Sequence, residues 1–394
     1  MSLYLDSEVG RLKRVIVHTP GEEIERMTPT SARRLLYHDI IPISAVSREH
    51  QKLKQFLETV CTVYELRDLV TEVLHSRSEA CSAVLEAIAP TARFDELLRM
   101  GASELVDALV HGLPARRETV TDFLSDRLYD IPPLPNLYFM RDAGMVFRDR
   151  VLIGAMAHRV RTNESLLVKA AFTYASQLVS HGMLFDGVLE GAGEVRIEGG
   201  DFMVAGPNTL ILGISERSSA EAVDHLAQNL LSAFSEPFHV FVVLLPEGPS
   251  TIHLDMVFTL VDHNKALVYE PHMLGANRLR VVRVDVEPGK RTVIRDVAGL
   301  FEGLREVGIE LDAISCGGND PVYQQREQWM SGTNVLAFAP GKVIGYDCNE
   351  TTTESFARSG FAVRPVDDFL SGTADVRDYD KLLVVTPGVG LARG

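Results

Sequence analysis

Four side chains that could bind a cation or transfer protons stand next to short apolar runs that have the length of strands. They are Asp142, Glu198, His253 and Asp255. If these runs are equivalent strands of a repeating architecture, the four side chains face one central pocket. Carboxylates in one cavity repel each other, so a cation stabilises such a site. The pattern therefore predicts a pocket for a positively charged group, with His253 as general acid and base.

Each of these residues also has a purely structural explanation when it is taken alone. An Asp before a strand is often a turn residue, and the Gly-Gly after Glu198 usually marks only a tight turn. His253 and Asp255 would point the same way on a strand and so could bind a metal. A metal site would want a second histidine at comparable spacing, and the sequence shows none. Four polar residues at corresponding places favour a functional site without a metal.

Two arginines complement these acids. Arg161 and Arg217 each fall in the loop between a predicted second strand and the helix that follows it. An arginine there could hold a carboxylate through two parallel hydrogen bonds, although a single arginine of this kind is more often a solvated surface residue. Carboxylates at one end of a cavity and arginines at its mouth suit a substrate with a cationic end and a carboxylate end.

The elements that must position these side chains recur along the chain as a β-(β)-α-β unit. In each full unit two short apolar runs, joined by a tight turn, precede a helix and another strand. Ser218 and Glu221 are predicted to form the capping box of one such helix. The first strands of the four full units are predicted at residues 145–147, 202–204, 256–260 and 335–338, and a plainer unit opens the chain with a strand at 15–17 and a helix at 47–60.

Five similar units predict a closed, pseudo-symmetric α/β assembly of ββαβ units, because closure removes exposed sheet edges. A doubly wound open sheet is the alternative. Residues 68–130 have a helical pattern without strand-like alternation, so they are predicted to be a helical insertion rather than an elongated crossover. The whole chain, residues 1–394, is then a single α/β domain that contains this insertion.

Composition excludes several classes of protein. The chain has 394 residues, with 39 basic and 54 acidic side chains and a net charge of −15. This balance argues against nucleic-acid or anionic-membrane partners. No apolar run is long enough to span a bilayer and no signal peptide opens the chain, so a cytoplasmic protein is expected. The four cysteines lack CxxC spacing, which is typical of reduced thiols.

Several motifs in the right order resemble those of the arginine deiminases, a family of the guanidine-modifying superfamily. The resemblance covers essentially the whole chain, and a helical insertion occurs in that family too. It implies that residues 1–394 form a single α/β-propeller catalytic domain, a five-bladed, pseudo-symmetric propeller of ββαβ units. It also implies hydrolysis of L-arginine to L-citrulline and ammonia without a cofactor. The matching stretches are residues 7–13, 134–142, 198–201, 216–219, 253–258, 326–329 and 345–347 together with Asn349.

The resemblance also implies a role for each candidate site residue. Asp142 and Asp255 would accept hydrogen bonds from the guanidinium, while Glu198 and His253 would manage the protons. A cysteine thiolate would attack the guanidinium carbon, and water would hydrolyse the resulting thiouronium. The residues implied to hold the amino-acid end of L-arginine are Asn136, Phe139, Arg161 and Arg217.

The sequence departs from the family at the nucleophile, which lies in a loop of the form Leu-Gly-Arg-Gly-Arg-Gly-Gly-x-x-Cys. Residues 391–394, Leu-Ala-Arg-Gly, match the start of that loop, so the cysteine is expected just beyond Gly394. Cys316 is the only substitute among the four cysteines, and a small buried thiol is its simpler explanation. Two alternatives stay open. One is an inactive arginine-binding pseudoenzyme, and the other is a sister amidinotransferase or a dihydrolase of methylated arginine. Assembly into a homo-oligomer also stays open.

Overall fold

The structure is a computed structural model that describes residues 2–76, 78–191 and 193–393, and their fold is mixed α/β. The described strands form six small sheets rather than one open sheet, so the doubly wound alternative is wrong. The first sheet pairs Arg14–Val17 in parallel with Thr62–Glu65. The helix Ile43–Val60 joins these two strands, as predicted for the opening unit.

The predicted second unit is present. Gly144–Phe147 and Arg150–Ile153 form an antiparallel hairpin, and Met183–Asp186 runs parallel to the second of these strands. The helix Thr162–Tyr174 connects the hairpin to the third strand. Its buried face includes Leu167 and Val168, because the helix packs against the sheet on one side and against further helices on the other.

The third sheet is larger than predicted. Its hairpin Phe202–Gly206 and Thr209–Ile214 is followed by the helix Ala220–Ala233 and the parallel strand Phe238–Leu244, as expected. A second hairpin, Val281–Val286 and Val293–Val297, extends this sheet and was missed. Residues 293–296 are exposed at the sheet edge, so that strand lacks the apolar alternation of a half-buried one.

The fourth and fifth sheets carry the last two units. In the fifth sheet, the strand Leu382–Thr386 was not predicted. It lies between the second hairpin strand, Lys342–Tyr346, and the strand that follows the helix, Ala362–Pro365. Asn349 occupies the N-cap position of the helix there, without a capping hydrogen bond from its side chain. The fourth sheet contains Phe258–Asp262, Lys265–Val268 and Asp312–Ser315 with the helix Leu300–Arg305, and the fifth contains Leu336–Ala339, Lys342–Tyr346, Leu382–Thr386 and Ala362–Pro365 with the helix Glu350–Arg358.

The segment predicted to be a helical insertion is helical over most of its length. Its end departs from the prediction, because Leu113–Pro114 pairs antiparallel with Tyr129–Ile131. This sixth sheet is too short to produce a period of two in the sequence. Between its strands lies the short helix Val120–Leu124. The other helices of the segment are Leu66–Ser76, Ser78–Ile88, Phe94–Leu97 and Ala102–Val110.

These helices share one buried core with the second unit. Leu69, Val73 and Leu109 are at most 3% exposed and belong to the same apolar cluster as Leu167 and Val168. Burying a side chain of this size contributes about 1.5–3 kcal/mol. The helical segment therefore supports the helix Thr162–Tyr174, which begins beside Arg161.

The remaining helical segments are short, and no described helix is long and apolar enough to cross a membrane. Three of the short turns, at Met140–Ala143, Gly199–Asp201 and Leu254–Met256, lie immediately before the hairpins of units two, three and four. The others are Glu22–Glu25, Pro29–Ala32, Arg33–Leu35, Thr91–Arg93, Arg159–Arg161, Gly187–Glu190, Glu270–Met273, Pro321–Trp329, Val366–Leu370, Val376–Asp378 and Leu391–Arg393.

Candidate active site

The same local structure carries each of the four predicted acid and imidazole residues. Asp142 lies in the short turn Met140–Ala143, Glu198 is the N-cap residue of the next such turn, and His253 is the N-cap residue of the third. Asp255 lies within that third turn. All four side chains therefore stand in the turns that precede the hairpins of neighbouring units, although Glu198 and His253 are at N-caps and Asp142 and Asp255 lie within the turns.

Three of these residues meet in one buried cluster. Oε2 of Glu198 lies 3.1 Å from Nε2 of His253, and Oδ1 of Asp142 lies 3.9 Å from the same nitrogen. Glu198 is 0% exposed, and His253 and Asp142 are 7% and 8% exposed. Asp255 makes none of these bonds, and its Oδ2 instead accepts a hydrogen bond from Nδ2 of Asn334 at 3.1 Å. We call Asp142, Glu198 and His253 the acid–imidazole cluster.

The two arginines lie among these carboxylates, and not at a separate mouth as expected. Nη1 of Arg161 donates to Oδ2 of Asp142 at 2.8 Å and lies 3.5 Å from Oε2 of Glu198. Nη1 of Arg217 donates to that same Glu198 oxygen at 3.4 Å. The physical reason is charge compensation, since buried carboxylates need positive partners and a guanidinium offers five donors.

Asn136 and Phe139 form the turn that leads into the Asp142 helix. The backbone N–H of Phe139 donates to the Asn136 carbonyl at 3.0 Å, and the Asn136 side chain donates to the Leu35 carbonyl at 2.9 Å. The Phe139 ring packs on Tyr138, with 4.1 Å between ring centroids. Nη2 of Arg161 also reaches the Asn136 carbonyl, at 3.5 Å. All eight predicted site residues therefore belong to the same region, except that Asp255 is linked to it through charge and not through hydrogen bonds.

The electrostatics of the cluster favour an ion pair between Glu198 and His253. Burial opposes ionisation of Glu198, but the hydrogen bond to His253 and the guanidinium of Arg161 outweigh burial and lower the pKa of this carboxyl. Burial also opposes the charged imidazolium, yet the Asp142 carboxylate and the Glu198 hydrogen bond raise the pKa of His253. His253 therefore holds a proton at neutral pH and can donate it to a leaving group.

Two further carboxyl groups, those of Asp255 and Asp201, have raised pKa values. Burial raises the pKa of Asp255 to about 6, and the nearby Asp142 carboxylate adds to that rise. Burial also raises the pKa of Asp201 to about 7. Oδ1 of Asp201 accepts the backbone N–H of Leu254 at 2.8 Å, so Asp201 fixes the residue that follows His253. The sequence pattern did not predict this role, although Asp201 is the last residue of the Glu-Gly-Gly-Asp motif at residues 198–201.

The two glycines of that motif permit a close approach that no side chain would allow. A Cβ at Gly199 would lie 1.9 Å from the Arg141 carbonyl oxygen, and one at Gly200 would lie 2.5 Å from Cγ of His253. The N–H of Gly200 donates to Oδ1 of Asp142 at 3.2 Å. The Gly-Gly pair is thus more than a tight turn, because its backbone contacts both Asp142 and His253.

Ser218 and Glu164 support the cluster from outside it. The predicted Ser218–Glu221 capping box is wrong, because Ser219 caps the helix Ala220–Ala233. Oγ of Ser218 instead accepts the N–H of Glu198 at 3.1 Å. Oε2 of Glu164, which sequence analysis missed, accepts from Nε and Nη2 of Arg161 at 3.0 and 2.8 Å. The only sequence signal for this contact was a pair of opposite charges, Arg161 and Glu164, three residues apart.

Asp142, Glu198 and His253 could in principle share a metal, since one ligand atom from each lies within 4.8 Å of the others. One observation disfavours a metal there. The guanidinium groups of Arg161 and Arg217 already donate to oxygens that a metal would need.

None of the four cysteines fits the role of a nucleophile. Cys316 is buried, and its Sγ accepts a hydrogen bond from Oγ1 of Thr352 at 3.5 Å. Burial raises the pKa of the Cys316 thiol to about 12 and those of Cys61 and Cys348 to about 11. Burial raises the pKa of Cys81 as well. A thiol must ionise to attack, so these four are inert near neutral pH.

Comparison with known proteins finds arginine deiminases among the relatives of this chain. Residues 94–367 match the family model described as arginine deiminase. The arginine deiminase of Lactococcus lactis subsp. lactis (strain IL1403) is 31% identical over 392 residues, which covers 92% of this chain and 93% of the relative. That of Oenococcus oeni (strain ATCC BAA-331 / PSU-1) is 30% identical over 385 residues and covers 92% of each chain.

Solved structures share the fold at low identity. SxtG, an amidinotransferase from Microseira wollei in the saxitoxin biosynthetic pathway, is 13% identical with a TM-score of 0.53. The match covers 100% of this chain and 93% of SxtG. AgrE in a binary complex with L-arginine is 13% identical with a TM-score of 0.51, over 96% of this chain and 37% of AgrE. These likenesses extend the mixed α/β fold to a wider set of proteins.

Proposed function

This chain belongs to the arginine deiminase family, and we propose on that basis that it hydrolyses L-arginine to L-citrulline and ammonia. The resemblance predicted from the sequence motifs is confirmed by the family match and by the relatives. The observation that carries the proposal is the buried acid–imidazole cluster, in which His253 lies 3.1 Å from Glu198 and 3.9 Å from Asp142. Such a group binds a cation and supplies a proton at the same place.

In this proposal Asp142 and Asp255 accept hydrogen bonds from the guanidinium of the substrate. Asp142 already accepts such a bond from Arg161, so its carboxylate is oriented for a guanidinium donor. When the substrate takes that oxygen, the Arg161 guanidinium turns as a rigid group away from Asp142 and toward the substrate carboxylate. Arg217, Asn136 and Phe139 complete the wall around the amino-acid end.

The chemistry follows from the weakness of the guanidinium carbon as an electrophile. A thiolate adds to that carbon, and His253 gives its proton to the departing nitrogen, so that ammonia leaves and a thiouronium forms. The neutral His253 then takes a proton from water, which adds to the same carbon. The carbon–sulfur bond of this adduct then breaks and its hydroxyl group loses its proton to solvent, which gives L-citrulline and the free thiolate. Glu198 holds His253 in place and stabilises its imidazolium.

We place the attacking thiol on residues that follow Gly394, a residue that itself lies outside the described ones. Two observations support this placement. None of the four cysteines of the chain has a thiol that ionises near neutral pH. Ala392 binds Ser331, and the same loop binds Asp255 through Asn334, so the chain near its end lies beside the site.

We also propose that the sheets close into the five-bladed propeller within a single domain, with residues 68–130 as its insertion. The equivalent placement of Asp142, Glu198 and His253 before three hairpins supports this closure, since corresponding positions then face one axis. The cytoplasm is the compartment that suits a reduced nucleophilic thiol. No cofactor is needed for these steps.

The test is a product assay with the natural full-length protein and L-arginine. We expect L-citrulline and ammonia in equal amounts, and loss of both in Asp142→Asn and Asp255→Asn variants. Methylated arginines and amine acceptors are assayed in parallel. Turnover of those compounds in place of L-arginine would assign the chain to a sister activity. Arginine binding without any product would make it a pseudoenzyme.

A further inference from the structure

The buried guanidinium of Arg161 is shared between two carboxylates. Its Nη1 donates to Oδ2 of Asp142 at 2.8 Å, and its Nε and Nη2 both donate to Oε2 of Glu164, at 3.0 and 2.8 Å. Arg161 and Glu164 are 3% and 1% exposed, so solvent screens their charges little. In this structure a guanidinium of the protein itself therefore occupies the oxygen of Asp142 that we assign to the guanidinium of the substrate.

One oxygen of Glu164 is left without a partner. Oε1 is buried and makes no hydrogen bond within the described part of the chain, while Oε2 accepts both bonds from Arg161. An unsatisfied buried acceptor is costly, and a guanidinium binds a carboxylate best through two parallel bonds, one to each oxygen. The contact between Arg161 and Glu164 therefore falls short of its best geometry. A turn of the Arg161 guanidinium away from Asp142 can give each oxygen of Glu164 one bond.

The other carboxylate beside Arg161 is less able to receive it. Oε2 of Glu198 lies 3.5 Å from Nη1 of Arg161, but this oxygen already pairs with two other cationic side chains, and Oε1 of Glu198 accepts the backbone N–H of Ala157 at 3.0 Å. A guanidinium that leaves Asp142 and stays buried needs an anion, because an unpaired buried charge is strongly destabilising. Among the described carboxylates that contact Arg161, Glu164 is the one with an unused buried oxygen.

We propose that Glu164 is a positioning residue that receives Arg161 when the guanidinium of the substrate displaces it from Asp142. In this second position Arg161 forms one bond to each oxygen of Glu164 through Nε and Nη2. Both hydrogens of Nη1 and one of Nη2 are then free for the substrate carboxylate. Glu164 acts through Arg161 and touches no group of the substrate. This inference rests on the proposed function, since it needs a substrate guanidinium at Asp142.

The test compares L-arginine with L-argininamide, in which a neutral amide replaces the carboxylate, on the natural full-length protein. L-Argininamide brings no anion for the displaced Arg161, so its binding depends on Glu164, whereas L-arginine brings its own. In Glu164→Gln we expect the inhibition constant of L-argininamide to rise about tenfold or more. KM for L-arginine should change by less than about threefold and kcat by less than about twofold. A merely structural role would weaken both ligands alike.

Glu221→Gln is the matched control, because Glu221 is an exposed glutamate in the first turn of another helix. This variant should keep the inhibition constant, KM and kcat of the natural protein. An active natural protein whose Glu164→Gln variant weakens both ligands equally, or neither of them, overturns the inference alone.

A crystal structure of the His253→Ala variant with L-arginine shows the exchange directly and leaves Glu164 unchanged. It therefore decides the question if Glu164→Gln does not fold or if L-argininamide does not bind. We expect Arg161 to bond both oxygens of Glu164 and to have left Asp142. Arg161 that keeps its bond to Asp142 beside bound L-arginine overturns the inference. A natural protein that makes no L-citrulline overturns the proposed function, and one that also binds no L-arginine overturns the inference with it.

Discussion

One oxygen of Glu198 forms ion pairs with three cationic groups. Their combined positive charge explains why so buried a carboxylate stays ionised. His253, Arg161 and Arg217 all lie within 3.5 Å of Oε2 of Glu198. Sequence analysis could select these residues by type and by their corresponding places in the units. It could not foresee that the arginines lie among the acids, because that arrangement depends on charge compensation in the folded protein.

The first prediction concerns His253. His253→Ala removes the proton donor for the departing nitrogen, so we expect L-citrulline formation to be abolished. The fold should persist, since Glu198 keeps Arg161 and Arg217 as partners. Product formation and circular dichroism check both parts. His263→Ala, an exposed histidine in a turn, should behave like the natural protein. L-Citrulline from the His253→Ala variant would refute the assigned role.

The second prediction concerns pH. Asp255 must be ionised to bind a guanidinium, and its pKa is raised to about 6. As pH falls through 6 the carboxylate takes up a proton, so kcat/KM should drop about tenfold per pH unit below that value. The hydrogen bond from Asn334 lowers the pKa of Asp255, so Asn334→Ala should move the acid limb to higher pH. An acid limb that Asn334→Ala leaves in place would contradict the assignment.

At the scale of elements, the site depends on short turns set before hairpins. Buried apolar runs separated by turn residues predicted these hairpins well, because each strand is buried on at least one face. The strand Leu382–Thr386 carried the same signal in its run of Leu and Val, yet it was missed because the fifth unit already had its full set of strands. The support of Glu198 by Ser218 joins residues twenty positions apart, and local pattern does not report such pairs.

The third prediction concerns the Gly199–Asp201 turn. In Gly200→Ala the added Cβ would lie 2.5 Å from Cγ of His253, so either the turn or the imidazole must move. We expect a loss of about 1–3 kcal/mol in the free energy of unfolding and at least a tenfold loss in kcat. Chemical denaturation and steady-state kinetics measure the two effects.

Gly101→Ala is the matched control for that variant. Nothing lies within 4 Å of a Cβ at Gly101, and its φ of −65° suits any residue. This variant should keep both the stability and the kcat of the natural protein. If Gly200→Ala matched Gly101→Ala in both measurements, the close approach of the turn to His253 would not matter for activity.

At the scale of the whole molecule, distant parts of the chain meet. Glu49 and Ser331 bind residues 390–392, while the acid–imidazole cluster is built from three successive units. The family match spans residues 94–367, which contain all eight predicted site residues, and residues 390–392 lie outside it. The sequence motifs could therefore predict the substrate class. The path of the last residues could be learned only from the folded chain.

The most direct test of the central claim is the intact mass of the natural protein, quenched in acid while it turns over L-arginine. We predict a mass above 43.5 kDa, because the proposed mechanism needs a reactive thiol that none of the four cysteines of this sequence supplies. A second species should be heavier by arginine less ammonia, as the thiouronium requires, and prior alkylation of the thiol should abolish it. A protein of 43.5 kDa that forms neither this adduct nor L-citrulline would contradict the account.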